Sequence, residues 1–198
     1  MRLAHGWDLV EPAPAALAAE FVRPAVRAVP PAMARRLPPC RILLAPDLPA
    51  ASRWTDTGAR LEIAVAAAGV EDHDVAMELL LCVGQALWDR LDGAELEAWW
   101  KLIGAEIRAG VQGEIDEQAL EARRRLFAGP ASARSRIRLE RYARAAFAGA
   151  AAEYVHALWH DVTVRSGPEH LPPPVLRARF ELLAGWFPPG RGYRLFPR

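Results

Sequence analysis

The chain has 198 residues and a formal net charge of +1, with 52% hydrophobic and 25% charged residues. Such a composition excludes an intrinsically disordered chain, since it supplies enough apolar surface for a core. The balanced charge gives no general attraction to nucleic acid, and no apolar run is long enough to span a membrane, so we expect neither partner. With two cysteines and no evident signal peptide, we expect a soluble, cytoplasmic protein.

Prolines limit the helices of the N-terminal segment, which covers residues 1–39. Asp8 is a candidate N-cap for a first helix with proline in its first turn. Pro24 is expected to kink or end that helix, because proline lacks the N–H that continues the hydrogen-bond ladder. A short second helix is expected over residues 32–37.

Three short strands are predicted within residues 40–70, and they form a small sheet. The apolar run over 40–45 is typical of a buried strand. Strands over 52–55 and 60–66 flank the sequence Asp56-Thr57-Gly58, which predicts a hairpin with glycine at the turn.

Everything from residue 71 to 187 is predicted to be helical. The expected helices cover 71–91, 94–108, 115–127, a long stretch from Ser132 or Ser135 to His160, and 175–186. The order of a helical segment, a small sheet and a helical remainder predicts one α+β domain.

The first long helix carries Leu81-Cys82-Val83-Gly84-Gln85, and this segment with its surroundings resembles the active-site helix of a zincin metallopeptidase. Zincins carry His-Glu-x-x-His, because residues i and i+4 share a helix face and their imidazoles hold one zinc, while the Glu acts as general base. Many members have Gly before the second His, the position of Gly84. A mid-helix glycine costs about 1 kcal/mol relative to alanine, so Gly84 predicts close packing.

A later helix carries a second similar segment. In lethal-factor-like gluzincins the third zinc ligand lies in a Glu-x-Phe-Ala-Glu pattern, which corresponds here to Ala145-Ala146-Phe147-Ala148-Gly149. Phe147 and Ala148 match the pattern. The resemblance implies a zincin-like α+β fold, in which a small, mainly three-stranded sheet packs on the long helix and the C-terminal half is helical.

The same comparison implies that the catalytic site is degenerate. The His and Glu residues of the signature are replaced at all the positions that would carry chemistry: Leu81, Cys82, Gln85, Ala145 and Gly149. Leucine cannot bind zinc, glutamine binds it poorly, and no carboxylate remains at the position of the base. We therefore expect no catalytic residue and no cofactor, in a pseudo-metallopeptidase that acts as a protein-binding or scaffold module. The sequence leaves the partner unidentified and a homo-oligomer open.

A histidine pair offers an alternative function. His156 and His160 lie four residues apart on a predicted helix, with Glu153 one turn earlier, which is a spacing that suits a metal. Together with Cys82 they could form an unconventional zinc site of a metal-dependent hydrolase or peptidase. Histidine pairs at this spacing also occur without a metal, so both interpretations stay open. His73 lies in an acidic helix start, where carboxylates complement the helix dipole, and is not assigned to a metal.

Two surfaces are candidates for partner binding. Arg134, Arg138 and Arg141 can share one side of the long helix, where they would suit a protein partner or an anion. Neighbouring acidic residues favour a solvated, ion-paired face instead. Trp99 and Trp100 are adjacent on a helix and so differ by about 100° in direction, which predicts that at least one is partly accessible.

Overall fold

The structure is a computed structural model that describes residues 1–10, 14–128, 134–160 and 167–195, with side chains of the last long helix described from Arg136 onward. It confirms an α+β architecture. Its elements in chain order are a 3-10 turn (Ala4–Gly6), β1 (Asp8–Leu9), α1 (Ala15–Leu17), a π-helical segment (Ala18–Val22), α2 (Arg23–Ala28), α3 (Pro31–Ala34), β2 (Cys40–Ala45), β3 (Ser52–Asp56), β4 (Leu61–Ala66), α4 (Asp72–Trp88), α5 (Gly93–Arg108), α6 (Glu117–Phe127), α7 (Arg134–Trp159) and α8 (Pro173–Trp186).

The sheet has four strands in the order β1-β2-β4-β3. β1, β2 and β4 run parallel, and β3 pairs with β4 in the antiparallel direction. The predicted hairpin is confirmed, with Gly58 at a φ of +78° and its N–H donating to Asp56 at 2.7 Å. The prediction of three strands is wrong by one, because β1 spans only two residues and so carries no alternation pattern.

Asp8 does not cap a helix, since it lies in β1, so this prediction is wrong. Pro24, which was expected to kink or end the first helix, does not end it, because the helix continues to Ala28. A π-helical segment lies directly before this point, and its i→i+5 pairing changes the hydrogen-bond register where proline offers no N–H.

The predicted helices after residue 71 are all present, with ends that differ by a few residues. Ser132, one of the two expected starts of α7, lies outside the described residues, and the helix begins at Arg134. Among the described helices, none combines the length and apolar character needed to cross a lipid bilayer.

The two long helices α4 and α7 lie against each other in the core. A Cβ atom at Gly84 would stand 2.7 Å from the Ala148 carbonyl oxygen, so the approach needs glycine, and the predicted close packing is confirmed. Near one end of the contact Arg144 forms a 2.7 Å ion pair with Asp89. At the other end His73 meets His156. The helices therefore run antiparallel, and one buried apolar cluster joins them to the sheet.

A buried polar network ties the C-terminal helices together. Arg179 of α8 has no exposed surface and donates to Glu106 of α5 at 2.7 Å and to Glu114 at 2.8 Å. Tyr142 of α7 donates to the same Glu114, and Arg123 of α6 donates to the Tyr142 hydroxyl at 3.1 Å. Burial works to lower the pKa of Arg179, but the two carboxylates outweigh it and the pKa is raised. The guanidinium therefore stays charged and paired.

Candidate functional site

The first two positions that the zincin resemblance singles out are closed to solvent. Leu81 and Cys82 are both buried in the contact between α4 and the rest of the core. Burial raises the pKa of the Cys82 thiol to about 11. A thiol is a nucleophile and a metal ligand only as the thiolate, so Cys82 is inert at neutral pH.

Gln85, at the position of the second zinc ligand, has a fixed side-chain amide. Its Oε1 accepts from the Trp54 indole N–H at 2.6 Å, and its Nε2 donates to Gln118 Oε1 at 2.9 Å. The amide thus bridges the edge strand β3 and the start of α6. Both ends of the group that could face a metal are engaged with protein.

The third-ligand segment of α7 lies beside the signature and carries no donor. Gly149 is buried, and any side chain there would run into the carboxyl group of Asp116. Ala145 is half-buried one turn earlier. The two sequence segments singled out by the zincin comparison are therefore adjacent in space, at the contact of Gly84 with Ala148.

Asp116 is an acidic group that the sequence did not single out. Its Oδ1 accepts from the Ala119 N–H at 3.0 Å and so caps α6, while its buried Oδ2 has no hydrogen-bond partner. Burial, with smaller contributions from Glu114 and Glu78, raises the pKa of this carboxyl to about 6. Its position before a helix predicts the cap, but nothing in the sequence predicts its approach to Gly149.

Three histidines meet where the other end of α4 packs on α7. His73 lies on α4, and its ring centre is 4.8 Å from that of His156 and 5.5 Å from that of His160 on α7. The rings of His156 and His160 are stacked 5.2 Å apart. The structure thus brings together the predicted pair and adds His73, whose partners on a distant helix leave no signal in the local sequence.

His156 is the buried member of this cluster, with 5% of its surface exposed. Neither ring nitrogen has a hydrogen-bond partner, although Nδ1 lies 3.3 Å from Oε2 of Glu153. Burial lowers the pKa of His73, and the neighbouring charges of His156 and His160 lower it further. Cys82 does not join the cluster, because it lies nine residues further along α4, roughly 13 Å away at the α-helical rise. Within the described residues, no group of three His, Cys, Asp or Glu side chains is arranged so that it could hold a metal ion.

The predicted arginine face borders an open groove between α6 and α7 of about 640 Å³. This α6–α7 groove is lined by Glu117, Gln118, Glu121, Ala122, Arg125, Ala128, Arg138 and Arg141. Glu121 pairs with Arg125 at 2.7 Å and Glu117 pairs with Arg124 at 3.3 Å. Within the described residues, neither Arg138 nor Arg141 has a carboxylate partner. The side chain of Arg134 lies outside the described residues.

Two large apolar residues that neighbour groove residues in the sequence are exposed. Phe127 precedes the groove residue Ala128 and is 56% exposed, and Ile137 precedes Arg138 and is 59% exposed. Gln118 lines the groove and also accepts from Gln85, so the groove adjoins the position that the zincin resemblance assigns to the second ligand. The groove and the residues next to it in the sequence therefore combine arginines with exposed apolar side chains.

The two adjacent tryptophans differ in exposure, as their positions on a helix predict. Trp99 is fully buried and donates its indole N–H to the Ala143 carbonyl at 3.0 Å. Trp99 therefore offers no surface to a partner, because its ring fills the core. Trp100 is half-buried and packs edge-on against Trp88, with ring centres 6.2 Å apart.

Comparisons with family models, with curated proteins and with solved structures each found no match for this chain. A function must therefore be argued from the geometry of the chain itself. Three places bear on it: the contact of α4 with α7, the α6–α7 groove and the histidine cluster.

Proposed function

We propose that the chain is a non-catalytic, zincin-like domain that binds a protein partner in the α6–α7 groove. The observation that carries the proposal is the state of Gln85. This side chain stands at the second ligand position, is hydrogen-bonded at both ends of its amide, and is joined through Gln118 to the groove.

The groups at the contact of α4 with α7 support the proposed lack of peptidase chemistry. Hydrolysis by a zincin needs two imidazoles, a third ligand and a general base around one water. Here the corresponding positions carry a buried aliphatic side chain, a protonated thiol, a bound amide and small residues. The close approach at Gly84 and the mixed sheet support the zincin-like frame, because a signature glycine and an antiparallel edge strand fit that resemblance.

The character of the groove favours a protein segment as its occupant. Arg138 and Arg141 present positive charge without carboxylate partners among the described residues. Phe127 and Ile137 add exposed apolar surface, which a purely ionic ligand would leave uncovered. The two together suit an acidic segment that also carries apolar side chains.

Peptide binding tests this proposal directly. The probe is a fluorescent peptide in which Asp and Glu alternate with Leu and Phe, and its partner is the same peptide with Lys in place of the acids. We expect the acidic peptide to bind, and Arg141→Glu to weaken it by about tenfold or more, equivalent to 1.4 kcal/mol. Arg177→Glu is the matched control, since Arg177 is a comparably exposed arginine on α8, ion-paired to Glu181.

Two results would overturn the proposal. One is that the acidic and the basic peptide bind equally well, and that the Arg141→Glu variant binds them as tightly as the unmodified protein does. The other is cleavage of either peptide by the zinc-loaded protein. An anion-binding module, the second candidate, is favoured if inorganic polyphosphate displaces the peptide and Ile137→Ser has no effect on binding, because a polyanion would use only the charges.

A further inference from the structure

We propose that His73, His156 and His160 form a binding site for a divalent transition-metal ion of the zinc class, with Glu153 orienting His156. The site lies about two helical turns from the degenerate signature along α4, so it is distinct from the position a zincin would use. It does not depend on the proposed function.

The spacing of the three rings fits shared coordination. Zinc binds imidazole nitrogen at about 2.0–2.1 Å with tetrahedral angles, which places the ring centres of two imidazoles on one ion roughly 5 Å apart. The three ring-to-ring distances here are 4.8, 5.5 and 5.2 Å. Each pair satisfies the distance, although the rings come from two helices that are far apart in the sequence. The planes of His156 and His160 are stacked at 17°, so these two rings can share an ion only after one of them turns.

The unpaired nitrogens of His156 point to a missing partner. A buried polar group without a hydrogen bond loses its hydration without compensation, so native proteins rarely contain this arrangement. His156 is 5% exposed, and neither of its nitrogens has a hydrogen-bond partner. A metal ion at Nε2 would satisfy one nitrogen, and Glu153, 3.3 Å from Nδ1, would satisfy the other.

The position of Glu153 supports the assignment of Nε2 of His156 to the metal and Nδ1 to the carboxylate. A histidine that binds a metal commonly donates its other ring N–H to a carboxylate, which fixes the tautomer and the ring orientation. Glu153 lies three residues before His156 on α7, so its carboxylate reaches Nδ1 from the preceding turn. Glu153 also adds negative charge, as does Asp74 beside His73. Both charges favour a dication.

The site would form only after two of the three rings turn. In the present arrangement, no group of three His, Cys, Asp or Glu side chains among the described residues could hold a metal ion. His73 is half-buried and His160 is exposed, whereas His156 is enclosed. Rotation of the two outer rings about χ2, a soft torsion for histidine, would aim their nitrogens at an ion held by His156. Three imidazoles without a thiolate suit Zn²⁺, Co²⁺, Ni²⁺ or Cu²⁺.

The test uses untagged protein with Zn²⁺ and Co²⁺ as separate probes. Bound zinc is counted by elemental analysis after desalting, and cobalt is followed by its visible absorption and by quenching of Trp159. The ring of Trp159 lies 5.7 Å from His156 and 5.3 Å from His160, close enough to report on an ion bound there. The variants are His73→Ala and His160→Ala, whose side chains are outside the fully buried core. His170→Ala is the matched control, because His170 is outside the cluster.

We expect one zinc per chain in the unmodified protein and in His170→Ala, with at least about tenfold weaker binding in each cluster variant. His73 and His160 lie on different helices. Weaker zinc binding in both the His73→Ala and the His160→Ala variant would therefore mean that the two residues share one ion. The inference is overturned if the unmodified protein retains no zinc, or if either cluster variant binds as tightly as the control. Peptide binding through Arg141 should be the same in His160→Ala, so a failure here leaves the proposed function standing.

Discussion

Two polar clusters lie along α7, and they differ in how completely their buried polar atoms are paired. At Tyr142 the helix joins a network in which Arg179 donates to both Glu106 and Glu114, and the Tyr142 hydroxyl donates to Glu114. At His156, nearly four turns later, both ring nitrogens are buried without a hydrogen bond. The first cluster is complete within the protein, whereas the second leaves both ring nitrogens of its buried member without a hydrogen bond.

The difference separates a structural role from a binding role. A paired network fixes the relative position of the helices and needs nothing more, because its opposite charges compensate each other's burial. An unpaired buried imidazole contributes little to stability, so its place in the fold calls for a ligand. The contact of Gly84 with Ala148 lies between the two clusters and sets how closely both helices approach.

The largest expected effect comes from breaking the paired network. Arg179→Leu would leave two carboxylates buried without their cation, which should lower the free energy of unfolding by about 3–5 kcal/mol, as measured by urea denaturation. Arg177→Leu removes an exposed ion pair from the same helix and should cost less than about 1 kcal/mol. Equal effects of the two changes would show that the network does not hold the helices together.

Replacing the buried histidine of the second cluster should not lower the free energy of unfolding of the metal-free protein. In metal-free protein, His156→Leu should leave the free energy of unfolding unchanged or raise it, since an unpaired polar group is replaced by an apolar one. Zinc at a hundredfold excess over its dissociation constant should stabilise the unmodified protein by about 2.7 kcal/mol and the variant not at all. A zinc-independent loss of several kcal/mol in the variant would make His156 a structural residue.

Asp116 offers a third buried group, with one paired and one unpaired oxygen. The pKa of the Asp116 carboxyl is raised from 3.8 to about 6, so the folded protein binds this proton more tightly than the unfolded chain. The resulting stabilisation is fully present below pH 3.8 and is lost as the pH rises through about 6. Asp116→Asn keeps a helix-capping side chain and should remove on the order of 2 kcal/mol of this pH dependence. Urea midpoints measured between pH about 4 and about 7 would test it, and parallel curves for the two proteins would contradict it.

The smallest effect is expected at the contact between the clusters. Gly84→Ala would place a methyl group 2.7 Å from the Ala148 carbonyl oxygen and should destabilise the fold by about 1–2 kcal/mol despite the better helix propensity of alanine. Gly185→Ala is the control, because nothing lies within 4 Å of its added carbon, so this variant should be slightly more stable. Thermal melts of both variants distinguish crowding from propensity, and a stabilised Gly84→Ala would contradict the close contact.

Sequence reasoning succeeded where the signal is local. The hairpin at Gly58, the long helices after residue 71 and the close packing at Gly84 all follow from turn chemistry, periodicity and one costly glycine. It failed where tertiary contacts decide. The two residues of β1 become a strand only by pairing with β2, and the π-helical segment before Pro24 has no clear sequence mark.

In the candidate sites too, residues with a local sequence pattern could be predicted, whereas residues brought together by tertiary packing could not. The pair His156 and His160 could be found from its spacing, but the addition of His73 depends on how α4 packs on α7. The acidic neighbours of His73 in the sequence favoured a helix-dipole role and concealed this contact. The α6–α7 groove could be only partly anticipated, because the exposure of Phe127 depends on the ends of two helices.

Anomalous X-ray scattering from zinc-soaked crystals of the unmodified protein would show where a metal binds along α4 and α7. If the chain is non-catalytic and binds metal through its histidines, α4 and α7 hold no metal beside Gln85 and one ion at their histidine end. We then expect one anomalous peak between His73, His156 and His160, and none beside Gln85. A peak at Gln85 would contradict the proposal that the chain is non-catalytic. If no peak is found, the histidine metal site is wrong, whereas the proposal of a non-catalytic chain is unaffected.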